Sequence, residues 1–263
     1  MKNFLKWSFV ALLFISCNRE NDLISNEEAL DEQELSTDGQ DGVKKPGLMA
    51  RASVGTFSFD DFDGETSHAG AGGSIKRRAY FNPTTTDNQF YFDVNSSGQR
   101  VFKCDNEKSH RTEIKEKSGK ESSLSTSKDM EYIGKLENIP NLGVTVAQVH
   151  NRGTGVKRPL LRVYVVNGKF YIKTTTNNPT LSTGTYSTIT GPNYTSGSTY
   201  TLRIRFSSGN VLIDITTTSG SISPTITPTS NWSSFSTKYY LKAGVYTEGT
   251  DNDPKLTMFG FDK

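Results

Sequence analysis

Three short segments of this 263-residue chain gather side chains suited to proton transfer beside an anion: RTEIK (111–115), QVH (148–150) and YLKAGVY (240–246). In extended backbone, alternate residues face opposite sides. Arg111, Glu113 and Lys115 then share one side, Gln148 and His150 point together, and Tyr240, Lys242, Gly244 and Tyr246 line one side. Thr112, Ile114, Val149, Leu241, Ala243 and Val245 fall opposite them and suit a core. If the three segments are neighbours in one sheet, the polar rows merge into a groove floor of Arg, Gln, His, Lys and Tyr.

Such a floor suits β-elimination from a uronic acid polymer. The hard step is loss of the proton at C5, because the adjoining carboxylate opposes a carbanion there. Cationic and hydrogen-bonding groups must neutralise that carboxylate. Arginine does this best, since its fork matches a carboxylate, and Gln148 can donate an amide N–H to the same group. A base must take the proton and an acid must protonate the leaving glycosidic oxygen; His150 and Tyr246 are the candidates. A phenol near several cations ionises more readily, which suits it to either role. Glycoside hydrolysis requires two carboxylates facing one bond. Glu113 is the only acid on the predicted rows, with Glu248 just past them, so a convincing pair is lacking. No His, Cys and Asp spacing suggests a catalytic metal, and no cofactor is expected. His68 and His110 read as incidental. HAGAGG (68–73) reads as a loop and not a phosphate cradle, since no helical pattern follows it.

The elements that must position these side chains are strands. From about Arg51, short alternating runs are separated by Gly, Asn, Pro and Ser clusters. They include QFYFDV (89–94), GVTVAQVH (143–150), LLRVYVV (160–166), KFYIKTT (169–175), YTLRIRF (200–206), NVLIDITTT (210–218) and KYYLKAGVY (238–246). Asn167-Gly168 is a strong type I′ hairpin signal, and Ser208-Gly209-Asn210 reads as a second hairpin turn. No long segment has helical periodicity. Many short strands at regular spacing predict an all-β domain over 51–263, a sandwich or a barrel, with a β-jelly-roll sandwich of two antiparallel sheets and a concave substrate groove as the favoured form.

The N-terminus has a different texture. Lys2 and Lys6 precede the apolar run FVALLFI (9–15), which is too short to span a bilayer, and Ser16-Cys17 closes it. This resembles the lipobox of bacterial lipoproteins, with Phe14 where Leu is usual. It implies an exported chain with a 1–17 signal peptide, acylated at Cys17 and anchored by lipid alone, with the outer membrane as the expected site. Residues 18–50 read as a disordered acidic tether. Residues 1–50 carry nine acidic and five basic residues, against totals of 28 and 30. The remaining 19 acidic and 25 basic residues give the domain a net charge of +6. A positive domain favours a polyanionic partner, and export argues against nucleic acid. Cys104 is the only cysteine besides Cys17, so no disulfide framework holds the domain. A monomer is expected.

HRTEIKE (110–116), QVH and YLKAGVY resemble, in order and spacing, three signatures of the family 7 polysaccharide lyases. These alginate lyases have a β-jelly-roll fold. Their signatures take the forms R-(S/T)-E-(L/V)-R, Q-(I/V)-H and Y-F-K-A-G-(V/I)-Y-N-Q. RPLLRVYVVNGKFYIK (158–173) is similar to the family's next hairpin, and the resemblance covers roughly residues 55–263. It implies that Arg111 and Gln148 neutralise the substrate carboxylate, with His150 helping or acting as base. Tyr246 is implied as general acid, and with some substrates also as base. Glu113, Lys115, Lys242 and Tyr240 are implied as groove or supporting residues that bind substrate. Lys115 stands where a second arginine is usual, Leu241 replaces Phe, and Thr247-Glu248 replaces Asn-Gln, which marks a divergent member. Val149 in QVH is associated with mannuronate preference. A lyase on another polyuronate such as glucuronan, or a non-catalytic surface glycan-binding lipoprotein, remain alternatives.

Overall fold

The alternating runs become strands because one row of each is apolar and must be buried, while backbone hydrogen bonds are satisfied between neighbours. The structure is a computed structural model, and it describes residues 52–69, 75–88, 91–105 and 109–263. The expected signal segment 1–17 with Cys17 and the expected tether 18–50 lie outside the described residues.

Sixteen strands are described in chain order. They are β1 (Phe62–Ala69), β2 (Ile75–Phe81), β3 (Phe92–Val94), β4 (Arg100–Lys103), β5 (Arg111–Glu116), β6 (Lys128–Glu137), β7 (Val144–Asn151) and β8 (Leu161–Val166). After them come β9 (Lys169–Thr175), β10 (Tyr186–Asn193), β11 (Thr199–Ser207), β12 (Asn210–Thr217), β13 (Gly220–Ile222), β14 (Thr225–Ile226), β15 (Tyr239–Thr247) and β16 (Lys255–Asp262). One sheet has the order β10-β9-β8-β7-β15-β5-β1-β2, and the other the order β13-β12-β11-β6-β16-β4-β3 with β14 beside β12. All pairings among the named strands are antiparallel. Both expected hairpin turns form: Asn167 and Gly168 have φ of 49° and 70°, and Ser208 and Gly209 have 52° and 81°, as type I′ turns require.

The sheets bury their facing rows against each other. Ile114, Val149, Leu161, Val163, Leu241, Ala243 and Val245 from the first meet Met130, Tyr132, Leu202, Ile204, Ile213 and Met258 from the second. Tyr132 Oη donates to Val146 O across the layers at 3.1 Å and lies 3.0 Å from Tyr200 Oη, so these buried hydroxyls are satisfied. Burial pushes both phenols well above their usual pKa. Cys104 is buried with its thiol against His110 O and Val245 O, and burial raises its pKa too.

β15 enters the middle of the first sheet, between β5 and β7. The segment before it holds a 3-10 helix (Ser230–Phe235), pinned where Trp232 Nε1 donates to Thr175 O at 2.9 Å. Asn151, the residue after His150, donates from Nδ2 to Phe235 O and Thr237 O, tying the end of β7 to that segment. The register of β15 with β5 is unbroken, whereas with β7 it shifts between Ala243 and Tyr246. That shift is a β-bulge, and Gly244 sits in it with φ 148°. A Cβ there would lie 2.4 Å from Thr112 O and 2.5 Å from Glu113 Cα. Gly244→Ala is expected to cost about 1–3 kcal/mol, the usual cost of forcing atoms into packed structure, read as a lower denaturant midpoint.

Candidate active site

Strand register sets out the outward face of the first sheet as rows. One row runs Ser67, Arg111, Tyr246, Thr145, Tyr164 and Tyr171 over β1, β5, β15, β7, β8 and β9. A second runs Asp63, Lys115, Lys242, Gln148, Arg162 and Lys173 over the same strands. Tyr240 and His150 face each other one step further along. The eight residues singled out in the three motifs therefore share one face of three adjacent strands.

They separate into two depths. Glu113, Gln148, Tyr240 and Lys242 are buried. Glu113 faces Glu65 of β1 across the ladder, and both carboxylates are fully buried. Lys242 bridges them, its Nζ 2.5 Å from Glu113 Oε2 and 3.3 Å from Glu65 Oε1. Lys115 Nζ lies 2.9 Å from Glu65 Oε2, and Gln148 Nε2 donates to Glu113 Oε1 at 2.6 Å. Two carboxylates, two ammonium groups and an amide thus form a charge-balanced network under the groove. Removing one partner from such a network leaves a buried charge uncompensated.

Arg111, His150 and Tyr246 are partly exposed above it, and Lys115 is the member of the network that is itself partly exposed. Arg111 Cζ lies 4.5 Å from the centre of the Tyr246 ring. The His150 ring stacks on Tyr240 with centroids 5.4 Å apart, and Arg152 Cζ lies 4.3 Å from the centre of the Tyr240 ring. His150 Nδ1 is 2.8 Å from Asn151 N and 3.1 Å from Asn151 O. If Nδ1 donates to the carbonyl, Nε2 is the proton acceptor; if it accepts from the amide, Nε2 carries the proton. The chain therefore fixes the ring and leaves it able to take or give a proton.

Several site residues lie beyond the three motifs. Glu65 comes from β1, a strand with no alternating apolar row in its sequence. Arg162, Tyr164, Tyr171 and Lys173 continue the face over β8 and β9, with Tyr164 and Tyr171 stacked at 5.4 Å. The parity of LLRVYVV and KFYIKTT marks these four residues in the sequence. Lys173 Nζ lies 4.3 Å from the centre of the Tyr186 ring on β10, which carries the cationic row to the sheet edge. His68 corrects the sequence reading: it is in β1, paired with Arg77, and not in a loop, because strand pairing extends to this point. The glycine-rich residues 70–73 that follow it lie outside the described residues. His110 is buried away from the groove, where Nδ1 accepts from Asp105 N at 3.0 Å and the ring packs edge-on against Tyr91.

The family model for alginate lyases matches residues 66–261. The chain belongs to the alginate lyase family. It is a polysaccharide lyase, and its two-sheet architecture is the family's β-jelly roll. The structure is similar to the alginate lyase from Klebsiella pneumoniae, with a TM-score of 0.61 and 13% identity over 79% of this chain and 96% of that one. Alginate lyase A1-II′, a member of polysaccharide lyase family 7, gives a TM-score of 0.55 at 16% identity over 78% and 95% of the two chains. Alginate lyase AlyC3 gives 0.55 at 20% identity over 76% and 88%. No curated protein sequence matches the chain significantly.

The buried network in this lyase yields a stability test. Lys242→Met leaves Glu65 and Glu113 facing each other without their bridging cation. It should lower unfolding stability by about 3–5 kcal/mol, and adding Glu113→Gln should restore part of the loss in urea titrations.

Proposed function

We propose that this lyase cleaves a polyuronate, alginate before others, by β-elimination on the face formed by β5, β15 and β7. The observation that carries this reading is the convergence of Arg111 and Tyr246 as direct cross-strand partners, with Gln148 and His150 on the next strand. The C5 carboxylate is taken by the Arg111 fork and by the Gln148 amide hydrogen not committed to Glu113. His150 or Tyr246 removes the C5 proton, and Tyr246 protonates the glycosidic oxygen as the C4–O bond breaks. The products are a new reducing end and a sugar with a C4–C5 double bond.

Lys115, Arg162 and Lys173 add positive charge along one row, in keeping with a polyanion laid across the strands. Among the similar structures are family 7 lyase variants solved with product and with substrate, the latter carrying His-to-Asn and Tyr-to-Phe substitutions. We place polymannuronate first among substrates because of the QVH motif. Val149 is fully buried, so a preference has to be exerted through the residues packed around it. We also propose that the chain is exported and held at the outer membrane by an acylated Cys17, on the strength of its lipobox-like leader.

Incubation with polymannuronate, polyguluronate and glucuronan should give ultraviolet-absorbing unsaturated ends from at least one polymer, and none from any would refute the reaction. Tyr246→Phe should lower kcat by about 10²–10⁴-fold, the usual worth of a positioned acid–base group, with thermal stability unchanged. Cys17→Ala should move the protein from the membrane fraction to the soluble exported fraction; retention at the membrane would refute the anchor.

A further inference from the structure

Glu248 stands just past the end of β15, two residues beyond Tyr246, and its backbone N–H donates to Gly143 O at 3.4 Å. Its side chain reaches over β7 to β8, where Oε1 accepts a hydrogen bond from Arg162 Nη1. Arg162 is the direct cross-strand neighbour of Gln148. Two residues along β8 from Arg162 is Tyr164, which faces Thr145, which in turn faces Tyr246. The ion pair thus runs diagonally past the row that carries Tyr246. The Tyr164 phenol registers both of its members: burial raises the pKa most, the Glu248 charge raises it further and the Arg162 charge opposes this.

A guanidinium on the groove face with a carboxylate against it is the arrangement a bound uronate makes. Here the carboxylate is the chain's own. Lys242 and Lys115 have buried carboxylates as partners, Glu113 and Glu65, which cannot leave. Arg162 differs. Its side chain is 8% exposed and that of Glu248 is 32% exposed, so the carboxylate is the member of the pair that can swing into solvent.

We propose that Arg162 is a carboxylate-binding position for the sugar unit next to the one at Tyr246, and that Glu248 is an internal competitor for it. This rests on the polyuronate reading. When the polymer binds, a uronate carboxylate replaces Glu248 Oε1 on Arg162, and Glu248 turns to solvent. One carboxylate is exchanged for another, so the site contributes selectivity for a charged unit at little gain in affinity. A neutral sugar at this position leaves the internal pair closed.

The test is a double-mutant cycle on the polymer that the parent protein cleaves. Glu248→Gln keeps the shape of the side chain and removes its charge. It should lower KM by about two- to fivefold, the scale of a partly exposed ion pair, and leave kcat unchanged. Arg162→Met should raise KM, and in that background Glu248→Gln should no longer lower it. Arg162→Lys, which keeps the charge but loses the fork, takes the place of Arg162→Met if thermal melts show that variant unfolded; KM should again rise and the gain from Glu248→Gln should shrink. An unchanged or raised KM in Glu248→Gln overturns the proposal. So does a fall that persists in full in either Arg162 background, since that is general repulsion of a polyanion. A parent protein that forms no unsaturated product from any polyuronate overturns the reading beneath it; an active parent whose KM follows none of this pattern overturns the proposal alone.

Discussion

Glu65 and Glu113 face each other on neighbouring strands beneath the groove, both fully buried. Like charges directly opposite in a ladder repel, and burial removes the water that would screen them. The fold tolerates the pair because Lys242 arrives between them and Lys115 flanks Glu65. That requirement reaches far into the structure. Lys242 can be there only if β15 is inserted between β5 and β7, so strands widely separated in the chain must be neighbours. Gln148 then completes the network from β7. Positioning of the upper layer thereby becomes a condition of stability: the strands that bring Arg111, His150 and Tyr246 together are the strands that neutralise the buried charges.

The two depths of the site follow from this division. Residues that bear fixed charge at the base are immobilised by ion pairs, while those above remain partly exposed and are held through rings and backbone. Arg111 lies over Tyr246, His150 over Tyr240, and Asn151 fastens the strand end to the segment before β15. Gly244 matters to both layers. Its missing side chain lets β15 press against Thr112 and Glu113, and its bulge takes up the register mismatch with β7 while the Arg111–Tyr246 pairing with β5 stays in step.

Much of the site was legible in the sequence, because parity in RTEIK, QVH and YLKAGVY depends only on each strand being extended. The hairpins at Asn167-Gly168 and Ser208-Gly209 were legible for a similar local reason, since their turn type demands a positive φ. Glu65 was not. On β1 the inward positions include Gly64, and a Cβ there would fall within 2.2–2.4 Å of the Phe81 ring. The core above this strand is filled by a side chain from β2, so β1 has no apolar row of its own to announce it. The bulge that sets β15 against β7 was hidden too, since a single glycine carries it. The depth of Glu113 and Lys242 depends on which strands flank them, and that is a property of topology.

A groove built for a polyanion has to keep its cations stable before the polymer arrives. This chain does so with carboxylates of its own, and their depth decides what each one does. Glu65 and Glu113 are buried and permanent: they hold Lys242 and Lys115 in place and cancel much of the charge those lysines bring. Beyond those lysines the second row continues to Arg162 and Lys173. At that end the internal carboxylate is Glu248, exposed enough to yield. A buried partner turns a cation into scaffold, whereas an exposed partner keeps it as a binding group in reserve. The Thr247-Glu248 departure from the family's Asn-Gln places such an exchangeable carboxylate two residues from Tyr246 and against Arg162.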